Sequence, residues 1–513
     1  MADRTRNFVW GLATGYALTG ANIIYTLVSV PLALHFLNRE QFGLWVLVAQ
    51  LASYLNMLDL GMQSSASRIF VNHKDHKQGG SYGSLVRTSF YVFGAQALGV
   101  LGLGFGFLPV LDRWMGFAPA TSDSFQALMG WQILILAFGF SGRTFGCILH
   151  AHQKYTWANW GGAGGLILGL GALAAALSAG WGVFSLTAAG AVTAIFNTLL
   201  QLYGCVRLRL LPARGAWGTL QWPMAKNLFS FAKDTFLIAL GWQLISASPA
   251  ILISKLVGLE AAATWAVGTK LFMLFQQIVW KLYDFSTSGL AELFARGEHE
   301  RMRYRFFQIT SATTGVSAFF SGLLFLFNGS FISLWTAGKI LWPEPYDVLL
   351  GMLLFSYSFN RCFGGLVGIS MNVGFAKYIY LLDGLMFLIC AYFAIPQFDF
   401  FGVLVPCLLL DLVLPGFYGL KRAGRVFNLG WQSSIAKTIL PNLGYIVWVL
   451  LVCLLGGILR AGFDSWSGFI VAGLSFALLT LVVPLFIPLI SPEFLRFLKN
   501  EPSPKFWSAF KKF

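Results

Sequence analysis

Apolar residues run through this chain in long blocks, without the alternating or three-to-four spacing that builds one buried face of a soluble domain. Fourteen blocks recur to the end of the sequence, at about 8–36, 42–66, 88–110, 125–149, 155–179, 183–205, 234–256, 261–283, 306–328, 347–370, 377–396, 400–420, 438–460 and 467–490. A helix crossing a bilayer needs about 20 such residues, because its backbone must satisfy its own hydrogen bonds in hydrocarbon. Strands of an outer-membrane barrel would be about ten residues long and would alternate, and no segment here does. The pattern predicts an all-α polytopic membrane protein of about 14 transmembrane helices.

Composition agrees. The chain is 57% hydrophobic and 11% charged, against roughly 25% charged for a soluble domain. Its 35 Lys and Arg outnumber 20 Asp and Glu. Threading the blocks back and forth with residues 1–7 in the cytoplasm places 29 of those 35 cations on the cytoplasmic side. Cytoplasmic loops collect Lys and Arg, so the bias predicts both termini inside. The positive charge is then mostly topology, and no basic domain supports nucleic-acid binding. The first apolar run is too long for a signal-peptide core. The six cysteines lie in or near apolar blocks without paired metal spacing and read as packing residues. His150 and His152 read as loop histidines.

The chain repeats internally. A single offset aligns Asn7 with Asn227, Glu40 with Glu260 and Trp45 with Trp265. A nearly equal offset aligns Arg143-Thr144-Phe145-Gly146 with Arg361-Cys362-Phe363-Gly364. Six helices per unit makes the two units parallel. The expected organisation is an N-lobe (1–206), a cytoplasmic basic linker (207–225), a C-lobe (226–421), two further helices (438–490) and a basic amphipathic tail (491–513). That tail interleaves Phe494, Phe497, Phe506 and Trp507 with Lys and Arg, and reads as lying on the anionic inner leaflet.

The opening carries a distinctive run: Pro31 to Trp45 with Glu40 and Gly43, then Leu58-Asp59-Leu60-Gly61, then Ser64 to Arg68. It resembles the O-antigen and oligosaccharide-lipid flippases of the multidrug/oligosaccharidyl-lipid/polysaccharide (MOP) exporter superfamily. The specific part of the resemblance covers positions 1–70. Beyond them it rests on helix number, lobe duplication and short outer loops. It implies two helical lobes around a central cavity in the bacterial cytoplasmic membrane, moving a polyprenyl-diphosphate-linked glycan outward by alternating access. The implied partners are that lipid-linked glycan, membrane lipids and other polysaccharide-assembly proteins, with no cofactor beyond an H+ or Na+ coupling ion.

A charge at mid-bilayer costs from about 3 to above 10 kcal/mol, so such residues face a cavity or a partner. Lys270 lies near the middle of the eighth block. It reads as an anion-binding cation or as the partner of Asp411. Arg361 and its repeat mate Arg143 could hold a diphosphate through the guanidinium fork, or cap helix carbonyls. Asp383 and Asp411 are candidates for ion coupling. Asp59 reads as structural, bonded toward Arg68. Lys281 and Asp284 read as a solvated or gating pair. Helix-five glycines suit close packing, and Pro31 and Pro249 mark kinks.

Three functions follow. A flippase needs cations for an anionic headgroup. A cation-coupled multidrug or small-molecule antiporter would rest on Asp383 or Asp411. A membrane glycosyltransferase or ligase needs paired acids on a large outer loop. The outer acids (Glu40, Asp112, Asp123, Glu260, Glu344, Asp347, Asp399, Asp464) show no close pair, which ranks an enzyme last.

Overall fold

The computed structural model describes residues 2–73, 81–370, 373–458 and 465–487. Among them there is no strand. The tail expected to lie on the inner leaflet falls outside these residues, as does the outer acid Asp464. In order, the helices are α1 (Ala2–Phe36), α2 (Arg39–Asn56), α3 (Met62–His73), α4 (Ser81–Met115), α5 (Pro119–Ala151), α6 (Tyr155–Ser178), α7 (Phe184–Arg207), α8 (Trp222–Leu256), α9 (Leu259–Gly268), α10 (Lys270–Ala295), α11 (His299–Trp335), α12 (Pro345–Ile369), α13 (Ala376–Phe398), α14 (Phe401–Asp411), α15 (Phe417–Phe427), α16 (Trp431–Ile439), α17 (Leu443–Ile458), α18 (Trp466–Ala477) and α19 (Val483–Phe486).

Twelve helical runs among the described residues are long and apolar enough to cross a membrane. The interrupted α9–α10 and the 25-residue α12 bring the crossing segments to the fourteen expected. Leu98, Ile167, Phe393 and Val471 stand exposed on these helices. A soluble domain would bury such residues, and a lipid-facing helix presents them.

The chain divides into two compact units: Met1–Gln243 with Ile253–Ala263, and Leu244–Leu252 with Thr264–Phe513. In the first, α6 packs on α7 and α1. The glycines of α6 make the approach possible. A Cβ on Gly169 would run into Thr193 Oγ1, and one on Gly165 would lie 2.9 Å from the Thr193 carbonyl oxygen. Within a bilayer, helices have no hydrophobic force drawing them together, so close contact between small residues does that work.

The 207–225 segment is tied to α4 by hydrogen bonds. Arg87 Nη1 donates to the Gly218 carbonyl (2.9 Å), and the Thr219 and Gln221 amides donate to Ser84 Oγ and Thr88 Oγ1 (both 3.1 Å). Beneath it lies a core of Phe70, Tyr82, Leu85, Phe93, Ile148 and Cys205.

In the second unit α11 is central, lined by α10, α12 and α17. Its core joins Tyr283, Phe306, Cys362, Phe363 and Phe427. Several crossing segments expected to be continuous are interrupted at identifiable residues, among them the second, the eighth and the twelfth. The second breaks after Asp59 between α2 and α3, the eighth at Thr269 between α9 and α10, and the twelfth contains a π turn, Leu412–Gly416, around Pro415. Proline supplies no N–H to the helical ladder, and a π turn accommodates the gap.

Candidate functional site

The break in the second segment creates the first charged site. Leu60 and Gly61 both take positive φ, 51° and 76°, which ends the helix as an αL pair. The carbonyls freed at Leu58 and Asp59 accept hydrogen bonds from Gln96 Nε2 on α4, at 2.6 and 3.1 Å. The Leu58-Asp59-Leu60-Gly61 motif is thus a capped turn, and it aims Asp59 at α5. There Arg143 Nη1 donates to Asp59 Oδ1 (2.5 Å) and its Nη2 donates to Asn56 Oδ1 (2.5 Å). The guanidinium also lies 3.6 Å over the Phe140 ring. The side chains are only 15% and 20% exposed. Asp59 is therefore held by Arg143, from a helix distant in sequence, and not by the neighbouring Arg68, which is exposed.

A second Arg–Asp pair lies in the other unit. Arg361 Nη2 on α12 donates to Asp284 Oδ1 on α10 (2.8 Å), with its guanidinium 5.1 Å from the Trp280 ring. Here the two side chains are 42% and 43% exposed. Asp284, expected beside Lys281, thus faces an arginine of another helix.

Lys270 is the first residue of α10, immediately after the break. That break is built by Gly268, where a Cβ would collide with the Trp342 ring. Asn328 Nδ2 donates to the Gly268 carbonyl (3.1 Å), and Thr269 Oγ1 donates back to the Trp265 carbonyl (2.8 Å). Lys270 itself is half-buried and forms no ion pair or hydrogen bond with a side chain among the described residues. Its expected alternative partner, Asp411, is engaged elsewhere. Ser356 Oγ donates to Asp411 Oδ2 through a short contact, and Asn360 Nδ2 donates to the same oxygen at 2.7 Å.

Asp411 ends α14 at the lip of the π turn, and Asp383 lies on α13, which packs on α14. Both carboxylates are buried, and Asp383 Oδ1 has no hydrogen-bond donor among the described residues. A buried polar atom without a partner is uncommon and costly.

Ser356 and Asn360 escaped the sequence reading. Their signal is visible afterwards: two polar residues four apart mark one face of a largely apolar helix, the second of them directly before Arg361. Two acids assigned to outer loops are consumed structurally. Asp347 is fully buried and accepts from Asn328 Nδ2 and Trp342 Nε1, both 2.7 Å. Asp112 accepts from Ser122 Oγ (2.8 Å) and Gln126 Nε2 (2.9 Å). Glu40 and Glu260 sit in the first turns of α2 and α9, where helix dipoles favour negative charge. A cavity of about 360 Å³ in the second unit, lined by Glu300, Arg303, Tyr304, Phe307, Gln308 and Lys437, includes none of the sequence-predicted site residues. Among the described residues no cluster of three or more His, Cys, Asp or Glu could hold a metal ion.

Arg143 and Asp59 thus come together in one unit, and Arg361 and Asp284 in the other. Among the described residues Lys270 meets no carboxylate, its alternative partner Asp411 included.

No family model matches this sequence, and no curated protein matches it. Solved structures do. The chain superimposes on a multidrug resistance MATE family transporter of the MOP superfamily in an inward-facing conformation, with a TM-score of 0.66 at 12% identity, over 79% of this chain and 95% of that one. The lipid II flippase MurJ in an inward closed conformation matches with a TM-score of 0.63 at 13% identity, over 93% of this chain and 99% of that one. A MOP superfamily transporter from Pyrococcus furiosus, described by the reverse polarity of its binding pocket, matches with a TM-score of 0.54 at 13% identity, over 82% of this chain and 96% of that one. The chain has the fold of these transporters.

Proposed function

We propose that this chain is a flippase that carries a polyprenyl-diphosphate-linked oligosaccharide from the inner to the outer leaflet of a bacterial cytoplasmic membrane by alternating access. The glycan would serve a cell-surface polysaccharide of the lipopolysaccharide O-antigen kind. The observation that carries this reading is Lys270, an ammonium set into a membrane-crossing segment with no carboxylate beside it among the described residues. A cation in that position costs several kcal/mol unless it meets water or an anion, and a diphosphate headgroup is such an anion. Arg361, half-exposed and bonded through one nitrogen, is a second donor with its fork largely free. Arg143, saturated by Asp59, Asn56 and the Phe140 ring, is better suited to holding its helices together. The near full-length overlap with a lipid flippase supports the reading at the level of fold.

In this reading Asp383 and Asp411 take up the coupling ion, H+ or Na+, and the chain performs no covalent chemistry. Both termini lie in the cytoplasm, the partners are membrane lipids, the lipid-linked glycan and the proteins that assemble the polymer, and nucleic acid has no role. The test is complementation of a strain lacking its own glycan-lipid flippase. Lys270→Ala and Arg361→Ala each lower surface glycan about 10- to 100-fold, the scale of one lost charge-assisted contact, while the protein inserts normally. Normal export by both variants would end the reading.

A second reading, a cation-coupled multidrug antiporter, draws on one observation: the unpaired buried Oδ1 of Asp383, which suits a cation. Under it, Asp383→Asn and Asp411→Asn abolish drug efflux from a hypersensitive strain, and Lys270→Ala leaves efflux intact.

A further inference from the structure

The two arginines occupy equivalent places in the repeat, but their pairs with aspartate are not built alike. Arg143 and Arg361 open the same Arg-x-Phe-Gly motif. Both partners come from the end of the second crossing segment or of its repeat equivalent, the eighth. Yet the offset that superimposes the arginines carries Asp59 onto Gln277, and Asp284 lies about two turns of helix further on. The second acid therefore does not stand where the repeat would put it. It reaches Arg361 from a continuous stretch of α10, whereas Asp59 is delivered by a capped turn.

The surroundings differ in the same sense. Arg143 uses two nitrogens on two acceptors, sits tightly over a ring and is mostly buried. Among the described residues Arg361 uses one nitrogen on one acceptor, and it is far more exposed. In a water-filled cavity a pair this exposed contributes little to stability, so in that setting holding the fold together does not account for Asp284.

Resting on the diphosphate reading above, we propose that Asp284 is a placeholder anion. It keeps the Arg361 guanidinium beside Trp280 while the site is empty and yields it to phosphoryl oxygens when a ligand arrives. The exchange is favoured because a single-contact carboxylate gives way to an anion that can take two parallel hydrogen bonds from the guanidinium fork. Asp284 is thus a positioning residue and Arg361 the ligand contact. The phosphoryl group could belong to a polyprenyl diphosphate or to an ordinary anionic phospholipid, since both present the same oxygens.

The test is binding to the full-length protein in phosphatidylcholine nanodiscs, with undecaprenyl diphosphate in one arm and phosphatidylglycerol in the other. Removing the competing carboxylate in Asp284→Asn tightens binding of the true ligand about three- to fivefold. Asp284→Glu, which keeps the pair, binds as the wild type does. Arg361→Gln weakens binding at least tenfold. Tightening in the undecaprenyl diphosphate arm supports both the placeholder and the flippase reading. Tightening only in the phosphatidylglycerol arm supports exchange at a phospholipid and removes the diphosphate substrate. If the wild type binds undecaprenyl diphosphate and Asp284→Asn tightens binding in neither arm, the placeholder fails while the flippase reading stands. Binding of neither lipid by the wild type overturns both.

Discussion

At the scale of single residues, the fate of each charge follows from its neighbours. Asp59 and Arg143 satisfy one another within a partly buried cluster, so removing one leaves the other desolvated and unpaired, at a cost of about 1–3 kcal/mol. Asp59→Asn should lower the melting temperature of the purified protein by several degrees, and Asp59→Arg by more. The double exchange Asp59→Arg with Arg143→Asp should recover part of the loss. Equal melting of Asp59→Asn and wild type would mean that the pair contributes nothing. Asp383 and Asp411 predict a different signature. In proteoliposomes Asp383→Asn should abolish stimulation of transport by an imposed H+ or Na+ gradient while leaving downhill movement in place. Stimulation that survives in Asp383→Asn and Asp411→Asn alike places ion coupling elsewhere.

At the scale of elements, the helices owe their positions to close approach and to their breaks. The α6–α7 contact depends on the absence of side chains at Gly165 and Gly169. Gly169→Val should therefore destabilise the protein strongly, and Gly171→Val, which meets open space, should be tolerated. Thermal melts of the two variants compare them directly. The crossing segments were legible in the sequence because every turn of a lipid-exposed helix must be apolar, and that signal needs no knowledge of the fold. The breaks were not. The turn at Leu60 and Gly61 could be suspected from its glycine, but the break at Thr269 lies where Gly268 packs against Trp342, a residue of another segment. The partner of Asp59 was hidden for the same reason: Arg68 is near in sequence, and only the packing of α5 beside the α2–α3 turn brings Arg143 close. Ser356 and Asn360 carried a readable polar face, yet only the fold shows that it serves Asp411.

At the scale of the molecule, the asymmetry of Lys and Arg predicts orientation. A fluorescent protein fused after Phe513 should mature and fluoresce in the cytoplasm, and alkaline phosphatase fused there should stay inactive; the opposite result would invert the topology. Orientation matters to the proposed function because a flippase must take its substrate from the leaflet where it is made. The fold is shared by transporters described as acting on drugs and by one described as acting on lipid II, so the fold by itself does not choose the substrate. The choice falls to charge. A lysine with no carboxylate beside it among the described residues, and a half-exposed arginine, suit a phosphorylated headgroup, whereas a site for cationic drugs would need the carboxylates alone.

The central claim is tested most directly by reconstituting the purified protein in liposomes and measuring movement of a fluorescent short-chain glycosyl polyprenyl diphosphate between leaflets. The wild type should move it well above protein-free liposomes, and Lys270→Ala should fall to that background with its folded fraction unchanged. Equal rates for wild type and Lys270→Ala, or no movement by a folded wild type under either an H+ or a Na+ gradient, would contradict the account.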